Sequence, residues 1–284
     1  MYKYIAIIII IIILFSIFYI KHNINIWIHN RQVYPFILKI INHPLYDAYK
    51  YSLNLEYNKN NNMLKNNSGF NRITPLISAP NKLYNVKDLI QEINNIIIYK
   101  NHERLGDSLA HSGKKKSWQL RLFNTDTIYT KLAPKCIKLV DKISNELNCE
   151  AISISLAYMY PNTWLKYHEG FWGYGEYITR CMLGVKCADY GCGLHVYNES
   201  PLTIKKGKVI SFDDCKMHEA WNLSDENRIV LIFDLWNNDG FSNNKNALNE
   251  IETILNNRSI LTEEDKKRKH TSFKTIKTIK KQLM

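Results

Sequence analysis

The side chains best suited to chemistry lie in one stretch, residues 206–236, with the sequence KGKVISFDDCKMHEAWNLSDENRIVLIFDLW. Its pattern predicts a strand, a tight acidic connection, a short strand carrying His218, a polar turn and a long buried strand that begins at Arg228. An imidazole and a guanidinium at the mouth of a β-barrel suit a metal ligand beside a clamp for an anion. Such a metal site needs a second ligand elsewhere in the chain.

His168 is the best candidate for that ligand, because it also stands where a turn meets a strand. In double-stranded β-helix oxygenases, two histidines on early and late strands bind iron(II), usually with a carboxylate two residues after the first histidine. Here that position is Gly170. One histidine alone is more simply explained as an ordinary polar residue. Two histidines, followed by Arg228, favour a functional site.

Short strands surround these residues. In residues 151–158 the odd positions are small or polar and the even positions are mostly large and apolar, which predicts a strand whose small face can line a pocket. Residues 177–186 and 192–197 predict further strands between glycine-rich turns, without intervening helices. Helical faces in residues 86–98 and 134–147 precede them. The fold is therefore predicted to be mainly β, a double-stranded β-helix of the jelly-roll, cupin-like kind with flanking helices.

A series of motifs resembles the aspartyl/asparaginyl β-hydroxylase family over roughly residues 110–236, about half of the chain. The motifs occur in order: Trp118, APK at 133–135, YMYPNT at 158–163, HEG at 168–170, RCMLGV at 180–185, CGLHV at 192–196, GKVISFDDCKMHEAWN at 207–222 and NRIVLIFDLW at 227–236. The family also lacks the usual carboxylate ligand, so Gly170 fits its pattern.

The resemblance implies an oxygenase that uses iron(II), 2-oxoglutarate and O2, with ascorbate as the expected reductant. His168 and His218 would be the metal ligands. Arg228 would pair with the distal carboxylate of 2-oxoglutarate, and Arg180 with the carboxylate nearest the metal. Other side chains are expected around the ligands without binding the metal: Gly170, Met182, Asp214 and Trp221.

Two positions in the pocket depart from the family's pattern. Met182 stands where a histidine is usual, and methionine cannot donate a hydrogen bond. Ala157 stands where a serine helps to hold the distal carboxylate, and Ser155 is the candidate substitute because it points the same way along its strand. For Arg228, a structural salt bridge with a neighbouring acid such as Asp234 is the alternative to a role in binding 2-oxoglutarate.

The ends of the chain carry separate signals. Residues 5–20 are uncharged and almost wholly apolar, which predicts an uncleaved transmembrane anchor because no small-x-small cleavage site follows. Residues 21–75 are predicted as a stem or linker, 76–240 as the catalytic domain and 241–284 as a helical, basic tail. Eight lysines and arginines lie in residues 266–281 without an acid, so the net charge of +12 belongs largely to this tail. Nucleic acid is not expected as a partner.

The leading functional hypothesis is a membrane-anchored dioxygenase that hydroxylates Asp or Asn side chains of a protein substrate. The resemblance implies a membrane like that of the endoplasmic reticulum and leaves open on which side the domain lies. A lipid acyl-chain hydroxylase is the runner-up, because related sequences act on lipids and the anchor would hold the site near a bilayer. A jelly-roll binding module that has lost turnover would explain Met182 and Ala157. A purely structural membrane protein would leave the histidines and arginines unexplained.

Overall fold

The computed structural model describes residues 2–57, 75–98, 118–122, 131–168, 170 and 178–237, so the predicted tail at 241–284 lies outside the described residues. The helices in these ranges are α1 (Tyr2–His29), α2 (Pro35–Ile40), α3 (Tyr46–Tyr57), α4 (Leu89–Ile98) and α5 (Pro134–Glu146). The strands are β1 (Trp118–Leu122), β2 (Cys149–Met159), β3 (Thr163–His168), β4 (Ile178–Lys186), β5 (Cys192–Val196), β6 (Leu202–Thr203), β7 (Val209–Phe212), β8 (His218–Asn222) and β9 (Arg228–Asn237).

These strands form two antiparallel sheets. The larger sheet has the order β1-β2-β9-β4-β7 and the smaller one β3-β8-β5-β6. From β2 to β9 the chain crosses repeatedly from one sheet to the other, which is the topology of a jelly roll, or double-stranded β-helix. The predicted mainly β fold with flanking helices is confirmed.

The two-residue period of each strand decides which side chains enter the space between the sheets. On β2, Ala157 faces inward, whereas Leu156 faces outward towards α4 and α5. On β9, Val230 and Ile232 face inward and Leu231 faces outward. A slip of one residue would exchange these sets, so burial of both faces fixes the register. The small face predicted for β2 thus lines the interior of the barrel.

Helices α4 and α5 cover the outer face of the larger sheet and are joined by a polar contact. The carboxylate of Glu92 on α4 accepts hydrogen bonds from the backbone N–H groups of Lys135 and Cys136, at 2.9 and 3.1 Å. These N–H groups belong to the first turn of α5, which has no partners for them within the helix. The contact therefore satisfies the helix terminus and fixes α4 against α5.

Helices α1, α2 and α3 cover the outer face of the smaller sheet. Their apolar side chains pack with two tryptophans of that sheet in one buried cluster: Ile24, Ile28, Val33, Leu38, Leu45, Ala48, Tyr49, Leu53, Trp164, Trp221 and Leu223. A Cβ atom on Gly193 would lie 2.6 Å from Cε1 of His29, so glycine permits the close approach of α1 to β5. Residues 21–57, expected to belong to a stem, are thus packed on the barrel.

The first half of α1 differs from the second. Large apolar side chains between Ile7 and Tyr19 are 51 to 71% exposed, whereas Ile24 and Ile28 are buried. Among the described residues, no single helix meets the length and apolarity needed to cross a membrane; Ile7–Ile20 and Asn23–His29 meet that test together, with a 45° bend between them. The anchor at residues 5–20 stays a prediction.

Candidate metal centre and co-substrate pocket

His168 and His218 are brought together by the pairing of β3 with β8. They stand directly opposite each other in the antiparallel register, and their ring centroids are 4.4 Å apart. His218 is fully enclosed and its ring also meets the edge of Phe212, with 5.2 Å between centroids. The two predicted ligands therefore share one site inside the barrel.

A β-bulge turns His168 into that interior. Leu165 pairs with Ala220 and His168 with His218, so Lys166 and Tyr167 together stand opposite the single residue Glu219. In an uninterrupted strand, the residue three places after the inward-facing Leu165 would point outward. The extra residue of the bulge restores the inward direction for His168.

Both histidines are oriented by the backbone. Nδ1 of His168 lies 2.6 Å from the carbonyl oxygen of Lys166, and Nδ1 of His218 lies 2.8 Å from that of Lys216. A neutral imidazole that donates from Nδ1 presents its lone pair at Nε2, as a metal ligand must. Burial lowers the pKa of His218, although the nearby carboxylate of Asp214 acts in the opposite direction.

The carboxylate of Asp214 lies beside the histidines. Its Oδ1 is 3.4 Å from Nε2 of His218, and its Oδ2 is 2.8 Å from Nη1 of Arg180. The backbone N–H of Gly170 donates to the carbonyl of Asp214 at 2.8 Å. A Cβ atom at position 170 would lie 1.6 Å from Oδ2 of Asp214, so the two positions compete for one space. Gly170 leaves that space to Asp214.

Arg180 forms ion pairs with two carboxylates. Its Nε lies 2.9 Å from Oδ1 of Asp234 and its Nη2 lies 3.2 Å from Oδ2, in a two-pronged contact, while Nη1 reaches Asp214. Burial raises the pKa of Asp234, and Arg180 counteracts that effect. For Arg180 to contact the 2-oxoglutarate carboxylate nearest the metal, as the resemblance implies, that carboxylate has to share the guanidinium with Asp214 or displace it.

Arg228 has a different environment. It is 1% exposed, and its Nη1 donates to the carbonyls of Trp221 and Gly193, at 3.2 and 3.4 Å. Among the described residues, its Nε has no hydrogen-bond partner. Burial lowers its pKa, with the thiols of Cys192 and Cys187 acting in the opposite direction.

None of the ion pairs among the described residues includes Arg228; Asp234, the acid on its own strand, pairs with Arg180 instead. An unpaired buried charge costs several kcal/mol, on the order of 3–5 when a partner is removed. The environment of Arg228 is therefore one that an anionic ligand would relieve.

Two of the remaining predicted residues, Met182 and Ser155, lie on either side of Ile232 in the larger sheet. Met182 faces inward opposite Ile232. Ser155 is also opposite Ile232 on its other side and donates to the Ile232 carbonyl at 3.3 Å. It stands four register positions from Arg228, about 14 Å along the strand. Ala157, opposite Val230, stands two register positions from Arg228.

Trp221 corrects a prediction. It was expected beside the metal ligands, but it lies three residues after His218 and therefore on the opposite face of β8. There its ring lies against that of Trp164, with 4.9 Å between centroids, and its Nε1 donates to Nδ1 of His29 at 3.1 Å. Trp221 holds α1 to the barrel.

A second group of polar side chains, not predicted from the sequence, lies behind the smaller sheet. Three of its members have ligand atoms within 4.8 Å of one another, a spacing that could hold a metal ion: Glu56, His195 and Glu219. The guanidinium of Arg31 lies among them, 3.0 Å from Nδ1 of His195 and paired with both carboxylates. A metal ion would have to displace that cation, so the candidate metal centre is the pair of histidines inside the barrel.

The arrangement defines a class of protein: a jelly roll in which two histidines face each other inside the barrel and a buried arginine lies outside the ion pairs of the described residues. The chain belongs to the aspartyl/asparaginyl β-hydroxylase family, whose model matches residues 84–238, more than half of its length. The resemblance found in the motifs is confirmed.

Curated relatives agree with this assignment. The aspartyl/asparaginyl beta-hydroxylases of Mus musculus and Homo sapiens are each 32% identical to the chain over 108 residues, which is 37% of this chain. The matched segment covers only 14% of the mouse protein and 13% of the human protein.

Solved structures with a similar backbone include an oxidoreductase of the 2OG-Fe(II) oxygenase family from Burkholderia pseudomallei. It is 13% identical, with a TM-score of 0.39, and the match covers 53% of this chain and 80% of that one. Another is a non-heme alpha ketoglutarate dependent carbocyclase from nogalamycin biosynthesis, at 12% identity and a TM-score of 0.43, covering 56% and 78%.

The competition between positions 170 and 214 gives a test. Gly170→Asp, which would restore the more usual third carboxylate, should lower the free energy of unfolding by about 1–3 kcal/mol because the new side chain meets Asp214. Adding Asp214→Ala should recover most of that loss, and both variants should still bind metal through the histidines. Chemical denaturation of the wild type, Gly170→Asp and the double variant checks this. A double variant no more stable than Gly170→Asp alone would show that positions 170 and 214 do not compete for the same space.

Proposed function

We propose that this chain is an iron(II)- and 2-oxoglutarate-dependent dioxygenase that hydroxylates Asp or Asn side chains of a protein substrate. The observation that carries the proposal is the facing pair His168 and His218 inside a barrel that also encloses Arg228, a buried cation outside the ion pairs of the described residues. Membership of the aspartyl/asparaginyl β-hydroxylase family supports the same activity.

The donor set suits a divalent metal of the iron(II) type. Two imidazoles whose Nδ1 atoms are engaged with backbone carbonyls would each offer Nε2, and the carboxylate of Asp214 lies next to them at 3.4 Å from His218. Bound iron(II) would supply the activation of O2 that is coupled to oxidative decarboxylation of 2-oxoglutarate. Asp214 would place negative charge beside the ligands, and Arg180 would hold that carboxylate in position.

The co-substrate pocket would lie between the histidines and Arg228. Its walls are the inward-facing apolar side chains of β2, β4, β7 and β9, which exclude water: Ala157, Met182, Ile210, Val230 and Ile232. At the closed end, Arg228 would bind and orient the distal carboxylate with two parallel N–H donors. Because Met182 and Ala157 add no donors, Arg228 carries a larger share of the binding in this chain.

The metal ligands can be tested directly. His168→Ala and His218→Ala should each abolish stoichiometric iron(II) binding and 2-oxoglutarate consumption, because the one remaining histidine does not suffice to hold the metal. His43→Ala, which changes a histidine between α2 and α3, is the control and should keep both. The measurements are metal content and 2-oxoglutarate turnover with iron and ascorbate, with an Asp- and Asn-containing peptide as substrate. Wild-type iron content in both barrel variants would refute the site.

Substitutions at Arg228 and Arg180 should affect 2-oxoglutarate affinity and thermal stability in opposite ways. Arg228→Lys should weaken 2-oxoglutarate binding about ten- to a hundredfold, since lysine keeps the charge and loses the two-pronged geometry. Its melting temperature should barely change. Arg180→Lys should lower the melting temperature, because it breaks the two-pronged contact with Asp234. Calorimetric titration and thermal melting of both variants decide; a destabilised Arg228→Lys with unchanged affinity would assign that arginine a structural role.

We propose in addition that residues 5–20 anchor the protein in a membrane, on the support of the exposed apolar side chains from Ile7 to Tyr19. The full chain should float with phosphatidylcholine vesicles, and the double variant Ile9→Lys/Ile13→Lys should not. Ile40→Lys, at an isoleucine on α2 that is 76% exposed, is the matched control and should float like the wild type. Equal flotation of all three proteins would refute the proposed anchor. Turnover on vesicle lipids, with none on the peptide, would make lipid acyl chains the substrate.

A further inference from the structure

Three helices of the described chain end in the same way, but with different residues. The residue after the C-cap has a positive φ at Arg31 behind α1 (61°), Asn42 behind α2 (50°) and Asn148 behind α5 (51°). At α1 and α2 the full helix-ending pattern of hydrogen bonds forms, including Gln32 N–H to the Trp27 carbonyl at 2.7 Å. Glycine or asparagine is preferred there, because other side chains crowd the backbone in this conformation. An arginine at this position points to a use for its side chain.

The guanidinium of Arg31 lies behind the smaller sheet and contacts three neighbouring strands. Its Nη2 is 3.0 Å from the hydroxyl of Tyr167 on β3 and 3.0 Å from Nδ1 of His195 on β5, and it pairs with the carboxylate of Glu219 on β8. Glu56 on α3 supplies a second carboxylate. One side chain of the N-terminal helices therefore joins β3, β8 and β5 from outside.

Two of these contacts stand next to the metal ligands in sequence. Tyr167 precedes His168 and Glu219 follows His218, so each points outward directly behind a ligand. They are also the residues at the bulge that turns His168 inward, where Lys166 and Tyr167 face Glu219. At a bulge the ladder of backbone hydrogen bonds is interrupted, so contacts between side chains add to the forces that set the local spacing.

The carboxylate of Glu219 is well suited to that task. It is fully buried and also accepts hydrogen bonds from Nε1 of Trp164, at 2.8 Å, and from the hydroxyl of Ser52. Its ion pair with the Arg31 guanidinium supplies the cation that a buried carboxylate needs.

We propose that Arg31 is a positioning residue for the metal centre: by joining Tyr167 and Glu219 across the bulge, it fixes the spacing of the strands that carry His168 and His218. The inference rests on the proposed function, because it takes the two histidines to be the metal ligands. With only two protein ligands, affinity depends strongly on how well they are held before the metal arrives.

The test compares helix-ending substitutions in the full chain by titration with Co²⁺. Arg31→Gly removes the guanidinium and gives the backbone a residue suited to positive φ; Asn42→Gly makes the matched change behind α2 and leaves the contacts of Arg31 in place. Arg31→Gly should bind Co²⁺ about ten- to a hundredfold more weakly, the range found for groups that hold metal ligands, and should alter the visible absorption of the bound ion. Asn42→Gly should match the wild type in affinity and spectrum. Arg31→Lys, which keeps a cation, should recover part of the affinity.

An unchanged Co²⁺ affinity and spectrum in Arg31→Gly would overturn the proposal, leaving Arg31 as a helix terminus only. Should Arg31→Gly not fold, Arg31→Lys decides by itself: a several-fold loss of affinity at an unchanged melting temperature supports positioning, and wild-type affinity refutes it. Failure of the proposed function looks different. In that case the wild-type chain binds no Co²⁺, or His218→Ala binds it as well as the wild type.

Discussion

The candidate site depends on a single extra residue in β3. Antiparallel pairing places His168 opposite His218, but only the bulge at Lys166 and Tyr167 lets Leu165 and His168 both face the interior. Without it, the alternation of the strand would send the imidazole to the outer face, among the tryptophans that meet α1. The same irregularity brings Tyr167 and Glu219 together behind the ligands, where the N-terminal helices can reach them. The candidate site inside the barrel and the packing outside it therefore both depend on this β-bulge.

Much of this could be predicted from residue types and their alternation. The small face of β2 and the jelly-roll fold followed from period-two patterns, and the motifs spaced along the strands identified both histidines as candidate ligands. The inward direction of His168 was predicted by resemblance rather than by alternation, because no sequence rule locates a bulge. Trp221 was misplaced although alternation does apply to it: it stands three residues after His218, and three residues along a strand means the opposite face.

The N-terminal segment shows another limit of sequence interpretation. Residues 21–57 contain no motif and an unremarkable mixture of polar and apolar residues, which is typical of a stem. What holds them to the barrel is a set of partners far away in sequence: Glu219 for Arg31, Trp221 for His29, and Trp164 for Tyr49. Such contacts depend on the closed fold. Glu219 offered the only local hint, as an acid within a strand buried on both faces.

The two buried arginines of the barrel differ in whether carboxylates of the protein satisfy their charge. Arg180 is satisfied by Asp214 and Asp234, so it contributes to the fold whether or not a ligand is bound. Within the described part of the chain, Arg228 has carbonyls and thiols around it and a nitrogen without a partner, which is a costly state for the folded protein alone. Natural proteins tolerate such costs mainly where function requires them.

The covering of the smaller sheet by α1–α3 has a consequence for where the domain can be cut. The family match begins at residue 84, which invites expression of a fragment starting near residue 76. Such a fragment would expose Trp164 and Trp221 to water and leave the Glu219 carboxylate without Arg31 and Ser52. It would expose an apolar surface around a carboxylate that has lost its ion-pair partner, and it would tend to aggregate. The smallest unit with a closed surface begins ahead of Ile24, at the bend in α1 where exposed side chains give way to buried ones.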